Sequence, residues 1–393
     1  MRALVISGMI LIAATYGLAR FGYGLFLPQL TEAFAITPAV SGLIQAGSFF
    51  SYCVAALLAT RLGHRPRRLV VLAGATAAVG AAGVAAAPTA GVLALSVVLA
   101  GAGAGFATPG LVTLLERNLP PARQEAAQPI VNAGTGAGIV AAGALLVLTA
   151  EQWRAGWAAI AVIALLAMLA TLRSDRSAAV RADGPPAGTG RGLLAPLAAP
   201  LCAAALAGAA SAAIWTFGRS VMEASREGAA AYSVMAWMVL GACGVLGAGA
   251  GRIVQAGSLR RAWAATTLAM ALATVVLGAA PGVTAAGLLA AALFGASYTA
   301  LSGVLIIWAV RTLPDRAATG TVWLFIALAV GQAAGSVAWG ALLGATSPAL
   351  TFGAAGIVGL LAVAPTLRRP TARKASGSGP GPRRHPSAAG SSR

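Results

Sequence analysis

Apolar residues fall into twelve long runs, and nearly every charge lies between them. The runs cover approximately 3–28, 38–62, 69–87, 91–116, 127–149, 153–172, 193–221, 230–251, 262–280, 283–310, 318–344 and 349–366. A helix needs roughly 20 apolar residues to cross the ~30 Å hydrocarbon core of a bilayer. Alternation with a period of two is absent, and the runs are rich in Ala, Gly and Leu, which argues against membrane strands. The pattern predicts an all-α polytopic membrane protein with twelve transmembrane helices. The first run follows Arg2 and so has the outline of a secretion signal. It continues to Pro28, past a signal's usual apolar length, and no convincing small-residue cleavage site is visible, so an uncleaved first helix is expected.

The runs repeat in order. Arg67-Arg68 recurs as Arg260-Arg261, Gly63 as Gly257, and Leu119-Pro120 as Leu313-Pro314, with Arg123 and Arg316 close behind; Arg20 corresponds roughly to Arg219. The chain therefore reads as two pseudo-symmetric six-helix bundles, residues 1–172 and 193–366. Between them, 173–192 is polar and rich in Gly, Pro and Arg, as a flexible cytoplasmic linker would be. Residues 367–393 are low-complexity Ser, Gly, Pro and Arg, and are expected to form a disordered basic cytoplasmic tail. Parallel repeats of this kind are a standard transporter architecture, with the substrate site at their interface near the midplane.

Composition agrees: the chain is 59% hydrophobic and 9% charged, where soluble domains carry ~25% charged residues. The net charge of +18 could point to nucleic acid, but its distribution does not. With the N-terminus inside, 23 of the 27 basic residues fall in cytoplasmic segments, as the positive-inside rule requires. Only Arg154 and Arg226 lie outside, and Arg20 and Arg219 lie in the membrane. No basic stripe with interleaved aromatics suggests nucleic-acid binding. Cys53, Cys202 and Cys243 all sit inside runs without metal spacing and read as small packing residues. Richness in Ala, Gly and Arg with a single lysine, Lys374, points to a GC-rich bacterial genome. The expected location is thus the bacterial cytoplasmic membrane, with both termini cytoplasmic.

The twelve spans, the six-plus-six repeat, the long middle linker and the arginine-rich loops after the second and eighth spans resemble the major facilitator superfamily. The segment 61-RLGHRPRR-68 looks like that family's signature between its second and third helices, and 252-RIVQAGSLRR-261 is a more degenerate copy. By that resemblance Arg61, Arg65, Arg67, Arg68, Arg260 and Arg261 belong to gating loops. More locally, 17-GLARFGYGLFLPQL-30, 132-NAGTGAG-138, 214-IWTFGR-219, 294-FGASYTALSGV-304 and 331-GQAAGS-336 resemble the YbfB/YjiJ-like branch of bacterial permeases. The family signature has an acidic residue before the first loop arginine. Here that position is Thr60, which puts a salt-bridge lock from this site in doubt.

A charge at bilayer depth costs ~2.5–3.5 kcal/mol on insertion scales, so Arg20 and Arg219 are the leading functional candidates. Tyr16, Arg20 and Tyr23 share one helical face by their i, i+4, i+7 spacing. The guanidinium fork suits a carboxylate or phosphate; the alternative is an arginine that snorkels or pairs with backbone carbonyls. Arg219 follows Ser211 and Trp215 on one face, lies nearer the outer end where snorkelling is easier, and has Glu223 one turn on as a candidate partner. Gln45 with Phe49 and Tyr52, Asn132 with Gln128 and Thr135, Trp237, Tyr298 and Gln332 are further candidates for a central cavity, each equally able to act as glue between helices. Trp153 and Trp157 read as interface-belt anchors.

The absences matter as much. All nine acidic residues fall in loops or at span ends, and His64 and His385 are cytoplasmic, so the interior lacks the usual proton relay. No Walker-type loop, metal cluster or catalytic triad is present, so no cofactor and no enzyme activity are expected. The leading expectation is a secondary transporter of a small organic anion, working as a monomer, with any coupled proton carried on the substrate. The alternatives are an exporter of hydrophobic compounds that uses the aromatic faces, and a membrane sensor or scaffold that does not transport.

Overall fold

Helix boundaries are written in proline and hydroxyl residues. Pro38, Pro66 and Pro348 open their helices at the first turn, where a missing N–H costs nothing. The side chains of Thr37, Thr89, Ser258 and Ser347 accept from the backbone N–H three residues on, caps worth about 1 kcal/mol each. The computed structural model describes residues 2–149, 152–176, 195–246 and 257–367. Among them there is no strand, and the helices are α1 Arg2–Phe34, α2 Pro38–Leu62, α3 Pro66–Ala86, α4 Ala90–Asn118, α5 Pro121–Thr149, α6 Trp153–Ser174, α7 Ala195–Glu223, α8 Ala230–Leu246, α9 Leu259–Ala279, α10 Thr284–Thr312, α11 Ala317–Ala345 and α12 Pro348–Leu361. Ten are long and apolar enough to span a membrane, and α8 and α12 are shorter apolar helices. Most of the 173–192 linker, Arg252 and the tail from 368 lie outside the described residues.

The first span departs from its predicted end. Pro28 sits inside α1, which runs on to Phe34 and stops at Ala35 in the left-handed region, φ 49°. Pro109 and Pro129 are likewise internal, in α4 and α5. Prolines are tolerated inside membrane helices because neighbouring helices re-satisfy the freed backbone groups.

The packing repeats six helices later. In the first half α3 lies against α4 and α6, α2 against α4, and α1 against α5 and α6; in the second, α9 lies against α10 and α12, α8 against α10, and α7 against α11 and α12. The halves meet through α2 with α11, α5 with α8, and α1 with α7. Each of these pairs maps onto another, or onto itself, under exchange of the halves, which is the signature of a two-fold pseudo-symmetric fold.

Glycine permits the closest approaches. A Cβ at Gly17 would lie 2.5 Å from the Gly138 backbone, so α1 and α5 touch main chain to main chain there. Outward faces carry large exposed apolar side chains such as Leu95, Leu148 and Leu289, as lipid contact requires. Trp157 is not on that surface: it is fully buried and packs on Phe26 at 5.6 Å between ring centres. Trp153 is also buried, edge-on to Phe34. The interface-belt expectation for both tryptophans is therefore corrected: small neighbours such as Gly156, against the Phe26 ring, let the rings turn inward.

Candidate functional site

Both membrane arginines are positioned by a local widening of the helix. Ala13–Arg20 in α1 and Ala213–Phe217 in α7 are π-helical, and the Phe21 N–H reaches back five residues to the Tyr16 carbonyl at 3.0 Å. Such turns are rare and concentrate at functional sites. Their recurrence at matching places in the two halves makes them part of the repeat. They also undo the α-helical spacing assumed from the sequence. Tyr16 stays beside Arg20 and bonds Thr108 at 3.0 Å, while Tyr23 is fully buried and donates to the Ser41 carbonyl at 3.3 Å.

Arg20 is 5% exposed. Its Nη2 donates to Gln332 Oε1 at 3.1 Å, and its Nε has no partner. Four rings surround the guanidinium, at 4.1 Å (Tyr52), 5.0 Å (Phe49), 5.4 Å (Phe21) and 5.7 Å (Tyr16). Cation–π contacts contribute about 0.5–2 kcal/mol each when desolvated, which helps hold the charge in place. They do not neutralise it, and among the described residues no carboxylate pairs with Arg20.

Polar and aromatic groups continue from there into the second half. Gln332 Nε2 donates to the Tyr298 hydroxyl at 3.0 Å. Tyr298 stacks on Phe294, and both meet the edge of Trp215. Trp215 in turn stacks on Phe21 at 4.0 Å and meets Trp237 edge-on at 5.9 Å. Gln45 is fully buried, one turn from Phe49 on the same face of α2, with both amide atoms unpartnered; Trp237 Nε1 is also unpartnered. Buried polar groups without partners cost about 1–3 kcal/mol each.

Arg219 is elsewhere. It is 1% exposed and turns into the seam between α1 and α7 rather than snorkelling outward. It pairs with Glu223 at 2.5 Å, donates through Nε to Ser233 at 3.2 Å, and through Nη1 reaches the Leu25 carbonyl and Gln29 Oε1, the latter at 2.8 Å. Each of the three nitrogens of the fork is thus engaged, across both halves. Close by, a Cβ at Gly24 would lie 2.0 Å from the Trp215 carbonyl oxygen.

Of the sequence candidates, then, Tyr16, Arg20, Trp215, Trp237, Tyr298 and Gln332 gather in one cluster, and Gln45 borders it. Tyr23 and Arg219 are held by other partners, and Asn132 is exposed on α5 without a hydrogen bond to the cluster. Arg61, Arg65, Arg68, Arg260 and Arg261 are exposed, while Arg67 pairs with Asp175 at 2.9 Å. Arg117 pairs with the same carboxylate, which Asn118 also reaches at 2.9 Å. The acid of this network comes from the end of α6, not from position 60, where the Thr60 hydroxyl returns to the Leu57 carbonyl. Sequence reasoning missed Phe21, Phe294, Gln29, Ser233 and Asp175. Aromatic residues in an apolar run carry no distinguishing signal, and Asp175 looks like an ordinary loop acid. Among the described residues no three metal-ligating side chains come together.

A family model described as Major Facilitator Superfamily matches residues 9–327. No curated protein sequence matches the chain. Several solved structures do match in three dimensions. The nucleoside transporter NupG superposes with a TM-score of 0.74 at 13% identity, over 94% of this chain and 99% of that one. A bacterial homolog to the human lysosomal transporter Spinster, inward-facing and unoccupied, gives 0.68 at 15% identity, over 92% and 94%. A POT family transporter in complex with 5-aminolevulinic acid gives 0.72 at 13%, over 93% and 95%. At these identities the likeness is one of fold.

Proposed function

The chain belongs to the Major Facilitator Superfamily, and from that membership we propose that it moves a small organic anion, with a carboxylate as the favoured group, by alternating access of its two six-helix halves. One observation carries the reading: Arg20 is a buried cation at the contact between halves, with no carboxylate partner among the described residues and its Nε without a partner. Transport as such follows from the family and the fold; the substrate's charge follows from Arg20.

In this reading the anion docks on Arg20, with Gln45, Tyr16 and Tyr298 within the same lining and Trp215 and Trp237 as flat walls. Arg219 is a gate. It ties α7 to α1 at the end of the bundle away from the arginine-rich loops, which the positive-inside rule makes the outer end. The loops around Arg67 and Arg260 then face the cytoplasm. The protein sits in a bacterial cytoplasmic membrane, works as a monomer, and any coupled proton rides on the substrate, because the acidic residues lie in loops or at span ends.

The test uses purified protein in liposomes with a panel of radiolabelled monocarboxylates. Uptake of at least one is expected, and Arg20→Ala abolishes it while expression and insertion hold. Equal uptake by that variant removes Arg20 from the mechanism. The aromatic cluster of Phe21, Trp215, Trp237, Phe294 and Tyr298 supports a second reading, export of hydrophobic compounds. That reading requires drug sensitivity in a deletion strain and indifference to Arg20→Ala.

A further inference from the structure

Nε and Nη2 lie on one edge of a guanidinium, the edge that receives a carboxylate side-on through two parallel hydrogen bonds. In Arg20 that edge is half taken. Nη2 holds Gln332 Oε1 at 3.1 Å, and the neighbouring Nε, buried, holds nothing. The single oxygen of the amide carbonyl meets only one of the two places here, whereas a carboxylate has an oxygen for each. Gln332 comes from α11, in the opposite half of the molecule, so this bond crosses the seam that alternating access must open. Its other end is provided for, since Gln332 Nε2 already donates to Tyr298 on α10, within its own half.

We propose that Gln332 is a stand-in for the substrate's carboxylate: its carbonyl occupies the Nη2 position on Arg20 until the anion arrives, and the anion displaces it by taking Nε and Nη2 together. The inference rests on the anion reading above and adds a coupling to it. While the site is empty, the Arg20–Gln332 bond links α1 to α11. Substrate breaks that link and leaves Gln332 on Tyr298, so loading the site and releasing the two halves from each other become one event. Gln332 is therefore a positioning residue that competes with the substrate. This role predicts the opposite of a substrate ligand's behaviour on truncation: removing it tightens binding.

Gln332→Ala and Gln332→Glu are compared with the wild type in two assays. The first needs no ligand. Purified protein is treated with phenylglyoxal, which modifies accessible guanidinium groups, and modification at Arg20 is followed by peptide mass spectrometry. Removing the stand-in in Gln332→Ala should speed labelling of Arg20 several-fold, and the built-in carboxylate of Gln332→Glu, which fills both positions, should suppress it. The second is uptake of radiolabelled benzoate into liposomes. Gln332→Ala should lower KM about tenfold, the value of one hydrogen bond to a charged group, while kcat falls because the halves are no longer linked when empty. Gln332→Glu should abolish uptake while remaining folded and inserted. Labelling of Arg20 that ignores both substitutions overturns the proposal, and so does a KM that rises in Gln332→Ala. If labelling follows the expected order while the wild type transports neither benzoate nor any other carboxylate, Gln332 does cover Arg20, but the anion reading fails and the stand-in falls with it. Carboxylate uptake with labelling unmoved fails the stand-in alone.

Discussion

The two arginines in the membrane are chemically alike and electrostatically opposite. Arg219 has a carboxylate partner and acceptors on both sides of the seam; Arg20 has rings, one amide and a free Nε. Truncation should separate them. Arg219→Ala leaves Glu223 without its cation and Gln29 without its donor, and should destabilise the protein by about 2–3 kcal/mol, read as a lower Tm in detergent. The estimate sits at the low end because Glu223 is 26% exposed and reaches water when released. Arg20→Ala removes a buried, unneutralised charge and should leave Tm unchanged or raise it while uptake is lost. A common fall in Tm for both variants would contradict the contrast. The sequence marked both residues by the cost of burying them and offered Glu223, one turn on, as a partner for Arg219, which the structure shows. It could not show the contacts 190 to 312 positions away, because no spacing rule reaches that far.

At the scale of elements, most of the runs whose ends are described stop close to where hydropathy places them, because water at a membrane surface enforces those ends. The first does not: Pro28 reads as a stop and acts as an internal residue, since α7 and α2 flank that part of α1. The π-helical segments were invisible for a different reason. AATYGLAR and AIWTF contain no proline, and their one glycine, Gly17, serves the close approach to Gly138, so nothing in the local sequence announces the widened turn. A π turn holds one residue more than the α-helix around it. Deleting Ala14 should therefore let α1 regain regular pitch with its flanks in register and re-aim the side chains of the segment, Arg20 included. Uptake should disappear with membrane insertion intact, as measured by transport and by flotation of the same liposomes. Undiminished uptake would mean that the wide turn has no part in aiming Arg20.

Across the whole molecule, the ties between the halves among the described residues include Arg219 on α1, the Arg20–Gln332 bond, close backbone contact of α2 with α11, where a Cβ at Gly42 would lie 2.2 Å from the Ser336 carbonyl oxygen, and of α5 with α8, where a Cβ at Gly136 would lie 2.6 Å from the Gly241 carbonyl oxygen. Within the first half, Asp175 fastens the loop end by joining Arg67 and Arg117 with a carboxylate that is itself fully buried. Asp175→Asn should cost about 1–3 kcal/mol, whereas Arg67→Ala should cost under about 1 kcal/mol because that arginine is 53% exposed. Denaturant or thermal unfolding of the two variants side by side checks the order.

Asp175 also caps the end of α6, and the next N–H, of Arg176, donates to Asn118. A rope fastened at its post transmits tension to the post and not to its own strands. Through Asp175 and Asn118 the end of α6 is moored to Arg67 on α3 and to Arg117 and Asn118 on α4, so a pull on the chain at 176 is borne by two neighbouring helices at once and α6 is spared from unwinding.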